Sequence, residues 1–201
     1  MSPKPAAREY ESYEPTFPYI EDVGIKEWRS RLKQLAWSAP TIREATISGE
    51  DGRKMKDLQA ACEPIGILSV RKNVETIAVQ QVLLAEVEGV HVGFCVSSPG
   101  PQVTDPLFVQ TIGVDPLARS RGIGFALLSA AAEREPHRNI AFATLNYNTG
   151  AHASTSRFAR ADGSSIHKVK LGTYLDTHLG ITRGMGYRVW LVRRHATSDP
   201  T

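Results

Sequence analysis

The residues from Leu107 to Glu135, LFVQTIGVDPLARSRGIGFALLSAAAERE, restrict the fold more than any other part of the chain. An apolar run (Leu107, Phe108, Val109, Ile112, Val114) gives way at Asp115-Pro116 to Arg119-Ser120-Arg121-Gly122-Ile123-Gly124. An alanine- and leucine-rich segment at helical spacing follows, so the order is strand, glycine turn, helix. A helix begun this way leaves its first N–H groups unpaired and sets the positive end of its peptide dipoles behind them. Gly122 and Gly124 have no Cβ to keep an anion from the main chain, and Arg119 and Arg121 add full charges beside it. A phosphate site is one reading; a plain turn beside a solvated basic face is the other.

Other phosphate-binding patterns fail on particular residues. A dinucleotide fingerprint needs a third small residue where Leu127 stands, and no acidic residue ends a second strand at the required distance. The G-x-x-x-x-G-K-[ST] loop is absent, because the chain contains no Gly-Lys pair.

The pattern that does match is V-x-P-x-x-R-x-R-G-x-G followed by an apolar pair, written by Val114, Pro116, Arg119, Arg121, Gly122, Gly124, Leu127 and Leu128. It resembles motif A of the GCN5-related N-acetyltransferase (GNAT) superfamily, Q/R-x-x-G-x-G/A, whose members bind acetyl-CoA. The resemblance implies an α/β fold: a mixed, mostly antiparallel sheet of six or seven strands with a splayed parallel pair, flanked by helices.

The 201 residues suffice for one substantial core. With 41% hydrophobic and 22% charged residues the composition is that of a soluble globular protein, not a disordered one. No stretch approaches about 18 uninterrupted apolar residues, and the polar, proline-bearing start lacks the apolar core of a signal peptide. The expectation is a cytoplasmic protein without a membrane partner. Cys62 and Cys95 lack C-x-x-C spacing and read as buried free thiols, and no metal site is expected. The net charge is only +3, but it is uneven. From Arg138 onward nine basic side chains, Arg157, Arg160 and Arg183 among them, face only Asp162, Asp176 and Asp199. Such an excess suits CoA phosphates, an acidic substrate, a nucleic acid, or a solvated surface.

Taken in order, residues 1–40 read as an extension, 41–195 as the acyltransferase-like domain, and 196–201 as a tail. Within the extension Trp28, Leu32 and Leu35 fall at i, i+4, i+7, predicting an amphipathic helix that packs on the domain or on a second subunit of a homodimer. Thr41–Thr46 alternates as a first strand, Gly49–Gly52 reads as a break, and helices are predicted from Met55 to Cys62 and from Leu68 to Glu75. Val79–Glu88 and Val90–Val96 form a hairpin around Gly89. Ile140–Leu145 is a buried parallel strand, Ala151–Ala161 a helix, and Ser165–Lys170 and Gly186–Val192 supply the closing strands. Between those strands Leu171–Met185 is an insertion relative to a minimal member. It carries Tyr174, Asp176, His178 and Arg183, and is expected to shape acceptor specificity.

Carried over residue by residue, the resemblance implies that the backbone of Ile112, Gly113 and Val114 pairs with pantetheine in the gap between the splayed strands. The amides of Arg121, Gly122, Ile123 and Gly124, with Arg119 and Ser120, would take the diphosphate. Asn148 and Ala151 match the superfamily's N-x-x-A, so Asn148 either holds the pantetheine arm or caps the helix, or both. An amine would attack the thioester directly, without a metal. Three departures stand out: Ser120 for a frequent glycine, Thr155 or Phe158 where many members have tyrosine, and Phe108 and Gln110 near a position some members fill with glutamate. Acid and base therefore remain open among Tyr147, Ser154 and Glu86, with Glu88, Asp105, His91 or a water relay as further options. The implied activity is acetyl-CoA-dependent N-acylation of a small-molecule amine or a protein amino group. The alternatives are a non-catalytic CoA-binding or interaction module, and an acyltransferase whose acceptor is a nucleic acid or its base.

Overall fold

The computed structural model describes residues 23–182 and 184–194. The proline-bearing segment before Val23, Arg183, the expected domain end at 195 and the 196–201 tail lie outside the described residues. Seven strands form one sheet in the order β1-β2-β3-β4-β5-β7-β6. They are β1 Thr41–Glu44, β2 Gln81–Val87, β3 Val90–Pro99, β4 Leu107–Val114, β5 Ile140–Leu145, β6 Ser165–Val169 and β7 Tyr187–Arg193. Every neighbouring pair is antiparallel except β4 and β5. This is the mixed, mostly antiparallel sheet that the resemblance implies. Helices α1 Val23–Gln34, α2 Gly49–Ala61, α3 Val70–Val79, α4 Ile123–Arg134, α5 Thr149–Ala161 and the single turn α6 Asp176–Leu179 flank it.

The central strands carry long apolar runs because both faces are covered. Val82–Ala85 and Val90–Val96 are buried without interruption. A Cβ on Gly93 would meet the side chains of Ile123 and Leu127, which shows how closely α4 lies on β3. On β4, a Cβ on Gly113 would run into the Phe94 ring and approach Ile65, which follows α2. The β2–β3 turn places Glu88 at φ 51° and Gly89 at φ 73°, both left-handed, as a two-residue hairpin with matched twist requires.

Helix α1 buries Ile25, Trp28 and Leu32, while Leu35 lies just beyond its end. The Trp28 indole N–H donates to the His91 carbonyl at 2.9 Å and its ring stacks on the His91 imidazole at 4.7 Å. The amphipathic stripe is thus covered within the chain itself. Two boundaries differ from the sequence reading. Helix α2 begins at Gly49, inside the predicted break, because Ser48 caps it by accepting from the Asp51 N–H and because Glu50 and Asp51 occupy the positive first turn. Helix α3 continues past Glu75 to Val79, since Ile77 faces the core and no breaker intervenes before Gln80.

Gly52 marks the contact between α2 and α3. A Cβ there would lie 2.8 Å from the Val70 carbonyl oxygen and from Val74 Cγ2, and the buried Asn73 amide donates to the Gly52 carbonyl. Gly52→Ala, which would favour an isolated helix, is therefore expected to destabilise this protein by about 1–3 kcal/mol as the two helices are forced apart. A lower urea midpoint with an unchanged slope would show it.

Strands β4 and β5 pair at only three positions, from Leu107 opposite Ile140 to Val109 opposite Phe142. On the other edge of β4, Thr111 lies opposite Val96 and Val109 opposite Ser97, so Gln110 is an extra residue in a bulge. A bulge bends its strand. Beyond it, β4 runs from Gln110 to Val114 while Ala143–Leu145 of β5 continue to pair with β7, and the two parallel strands diverge.

Candidate active site

Gly122, at φ 79°, caps α4 without any side-chain hydrogen bond, and Ser120 adopts φ 62°. The left-handed backbone at position 120 is what glycine favours, which accounts for the superfamily's frequent glycine where Ser120 stands. The first backbone bond closing on the turn is from the Ala126 N–H to the Gly122 carbonyl. The amides ahead of Ala126 are thus the ones that the helix cannot pair internally.

Three arginines surround this turn. Arg119 donates to the Val114 carbonyl, and the Arg121 guanidinium lies 4.0 Å above the Trp37 ring. Arg157, on α5, lies over the Phe125 ring at 4.7 Å, with Nη1 only 3.4 Å from where a Cβ on Gly122 would stand. Also on α5, the Ser154 hydroxyl comes within 3.1 Å of the corresponding position on Gly124. Nothing local in the sequence marks Trp37 for this place. Arg157 belongs to the basic excess of the C-terminal half, but only folding brings it to a glycine turn more than thirty residues earlier. Trp37→Ala would remove about 0.5–1 kcal/mol of guanidinium–ring attraction. It is expected to raise the acetyl-CoA Kd about two- to fivefold by loosening Arg121, readable by calorimetric titration.

Ile112, Gly113 and Val114 occupy the diverging part of β4, next to this turn. Across the gap Asn148 caps α5, its side-chain oxygen accepting from the Ala151 N–H at 3.0 Å. Thr144, on the diverging part of β5, accepts from the Trp190 indole N–H at 3.1 Å. The segments named by the cofactor motif thus flank the stretch where β4 and β5 diverge.

The acid and base candidates scatter. Tyr147 is 74% exposed beside Asn148, and Ser154 is half-buried beside Gly124. Glu86 stands two strands away from β4 and accepts from Arg43 at 2.8 Å and Lys54 at 3.2 Å. Burial works to raise its pKa, yet these two cations hold the carboxyl below its ordinary value, which suits a structural ion pair and not a proton acceptor. Glu88 forms the hairpin turn, and Asp105 accepts from the Gln102 N–H in the loop before β4. His91 is buried under Trp28, its Nε2 3.5 Å from an Asp57 oxygen. Thr155 donates back to the Ala151 carbonyl, and Phe158 is in the core. Cys62 and Cys95 are buried free thiols, and burial pushes them to about 11 and about 12.

The 171–182 segment packs on β4 and β5 where they diverge. Leu179 is buried with Phe108, Ala141, Val189 and Leu191 in a small second core that Tyr174 and Ile181 flank. The His178 ring lies 4.9 Å from the Phe108 ring, and the Tyr174 ring meets it edge-on at 5.3 Å. A Cβ on Gly180 would come within 3.0 Å of the Gln110 Cβ, so the segment crosses β4 at its bulge. Beside it lies a cavity of about 330 Å³ lined by Leu171, Ile181, Thr182 and Tyr187. Tyr187 is opposite Leu145, where β5 has already left β4. Among the described residues no group of three or more His, Cys, Asp or Glu side chains could hold a metal ion, and no helix is long and apolar enough to cross a membrane.

Known proteins share this fold. Residues 32–158 match the model of the acetyltransferase (GNAT) family. The L-2,4-diaminobutyric acid acetyltransferase of Vibrio parahaemolyticus is 28% identical over 162 residues, 80% of this chain and 82% of the relative. That of Nocardia farcinica is 33% identical over 102 residues, 48% of this chain and 53% of the relative. Among solved structures, the diaminobutyrate acetyltransferase of Paenibacillus lautus, in complex with L-2,4-diaminobutyric acid and coenzyme A, shares the fold at a TM-score of 0.57. It is 18% identical and covers 76% of this chain and 95% of its own. The ribosomal-protein-S18-alanine N-acetyltransferase of Escherichia coli aligns at a TM-score of 0.58 and 13% identity, over 81% and 97% of the two chains. With an anion-ready turn at a splayed parallel pair and a matching family model across more than half its length, this chain belongs to the acetyltransferase (GNAT) family and carries out acetyl-CoA-dependent N-acetylation.

Proposed function

We propose that the acceptor is a small amine of the diaminobutyrate type, acetylated in the cytoplasm. The observation that carries this reading is the 28% identity to a diaminobutyric acid acetyltransferase across four-fifths of both chains. In this reading the diphosphate of acetyl-CoA rests on the amides of Arg121, Gly122, Ile123 and Gly124, flanked by Arg119, Ser120 and Arg157. The pantetheine lies against Ile112, Gly113 and Val114, with Asn148 beside it. Backbone amides suit this work because they are fixed before binding and need no reorganisation.

Thiol release from acetyl-CoA, followed with L-2,4-diaminobutyrate, other small amines and short peptides with free N-termini, tests the acceptor class. Release with the diamine and a monoacetylated product by mass spectrometry is the expected result. Release with peptides alone would replace the small-amine acceptor by a protein amino group.

A further inference from the structure

We propose that His178 is the catalytic base, taking the proton from the acceptor's ammonium group before that nitrogen attacks the thioester. The inference rests on the small-amine reading above and adds the residue that makes the amine nucleophilic. It starts from where the parallel pair comes apart. The last paired position is Val109 with Phe142, and the bulged Gln110 begins the divergence. An acyl group carried down the gap can travel no further than this apex, so the proton acceptor must stand close to it.

Two things converge there from the 171–182 segment. Gly180 lies against Gln110 with no room for a side chain, and its φ of 63° ends the α6 turn. Two residues earlier, His178 sets its ring against Phe108, the residue just before the last paired position. Leu179 between them is fully buried, which fixes the turn to the sheet. The same segment continues from Gly180 at the bulge through Ile181 into the wall of the cavity described above, so the cavity adjoins the apex through these two residues. Its ring is half-buried and tilted at 40° against the Phe108 ring, a contact that restrains the imidazole without enclosing it.

The other candidates do not compete at this place. Glu86 is held by two cations, His91 lies beneath Trp28, and Tyr147 is exposed on the α5 side. The ionisable groups on the same segment are Tyr174 and Asp176, and Tyr174 in turn feels Asp105 in the loop before β4 and Arg193 at the end of β7. Imidazole is the side chain whose ordinary titration lies nearest neutrality, so it can accept a proton and release it to solvent in each turnover.

The step balances as follows. The neutral imidazole takes one proton from R–NH3+, giving R–NH2, whose lone pair forms the N–C bond to the thioester carbonyl. The C–S bond breaks, its electron pair leaves with the CoA sulfur, and the second nitrogen proton goes to that sulfur. The products are the amide, CoA thiol and an imidazolium that returns its proton to solvent.

The test measures steady-state kinetics of wild type, His178→Gln and His178→Ala with L-2,4-diaminobutyrate and the amine panel from pH 6 to 10. The Gln variant is expected to lose about 10²-fold in kcat at neutral pH, with the acceptor KM and the acetyl-CoA Kd within about twofold of wild type. The acid limb of its kcat/KM profile should move to the pKa of the amine itself, and added imidazole should restore part of the activity of His178→Ala. A Gln variant with wild-type kcat and an unchanged acid limb, or an Ala variant of full activity, would overturn the assignment while leaving the small-amine reading intact. A wild-type enzyme idle on every small amine would sink that reading, and this one with it.

Discussion

Gly124→Glu is expected to abolish measurable acetyl-CoA binding while leaving the fold in place. The new carboxylate would sit in the first turn of α4, where a negative charge favours the helix itself. The same charge would occupy the space in which the cofactor's diphosphate meets the backbone amides. A like charge at about 4 Å costs about 4 kcal/mol at an effective dielectric of about 20, or about three orders of magnitude in Kd. The side chain would also press on the Ser154 hydroxyl, since even a Cβ at this position comes within 3.1 Å of it. Calorimetric titration with acetyl-CoA checks the loss, and circular dichroism checks that the helices persist. A variant binding acetyl-CoA within tenfold of wild type would remove the diphosphate from this turn.

The second large effect concerns stability. Asp51→Asn is expected to cost about 3–5 kcal/mol, a large part of the about 5–15 kcal/mol that holds a typical domain together. Asp51 is 3% exposed and accepts from Arg43 at 2.9 and 2.7 Å, from the Thr46 N–H at 2.7 Å and from the Thr46 hydroxyl at 2.8 Å. Arg43 also reaches Glu86, which in turn holds Lys54, so the carboxylate anchors β1, β2 and α2 together. An amide cannot keep both guanidinium bonds, and the partly buried cation would be left with Glu86 as its carboxylate partner. The Arg43 bonds, opposed by burial and helped by Thr46, hold the Asp51 carboxyl well below the usual carboxylate range. A folded-state pKa below the unfolded value means that the stabilisation is fully present above about pH 4 and is lost as the pH falls further. The stability of the wild type should therefore drop on acidification below that point. The Asn variant should be less stable at neutral pH and flatter over the acid range. Urea melts at pH 7, 4 and 3 give the comparison.

Much of the fold was legible in the chain because the signals were local. The Leu107–Glu135 stretch announced its strand, glycine turn and helix through residues that act on their immediate neighbours, and the hairpin around Gly89 did likewise. Where local signals conflicted, the boundaries slipped. Gly49 and Gly52 looked like a break, yet Ser48 supplies a cap and the close approach of α3 requires a glycine at 52. The end of α3 was placed early because nothing in the sequence says that Ile77 must reach the core as part of a helix.

By itself, then, the sequence determined the glycine turn with its arginines, the identity of the strands, and the kind of ligand such a turn can hold. Each of these depends on the backbone freedom and charge of residues adjacent in the chain. Only the tertiary structure decided that Arg157 and Trp37 attend the turn, that Glu86 is bound up in an ion-pair network, and that His178 comes to rest where β4 leaves β5. The last of these follows from a bulge at Gln110 and from the packing of Leu179 on a second apolar cluster. All of them bring together side chains dozens of residues apart, and no periodicity or spacing records which distant surfaces fit.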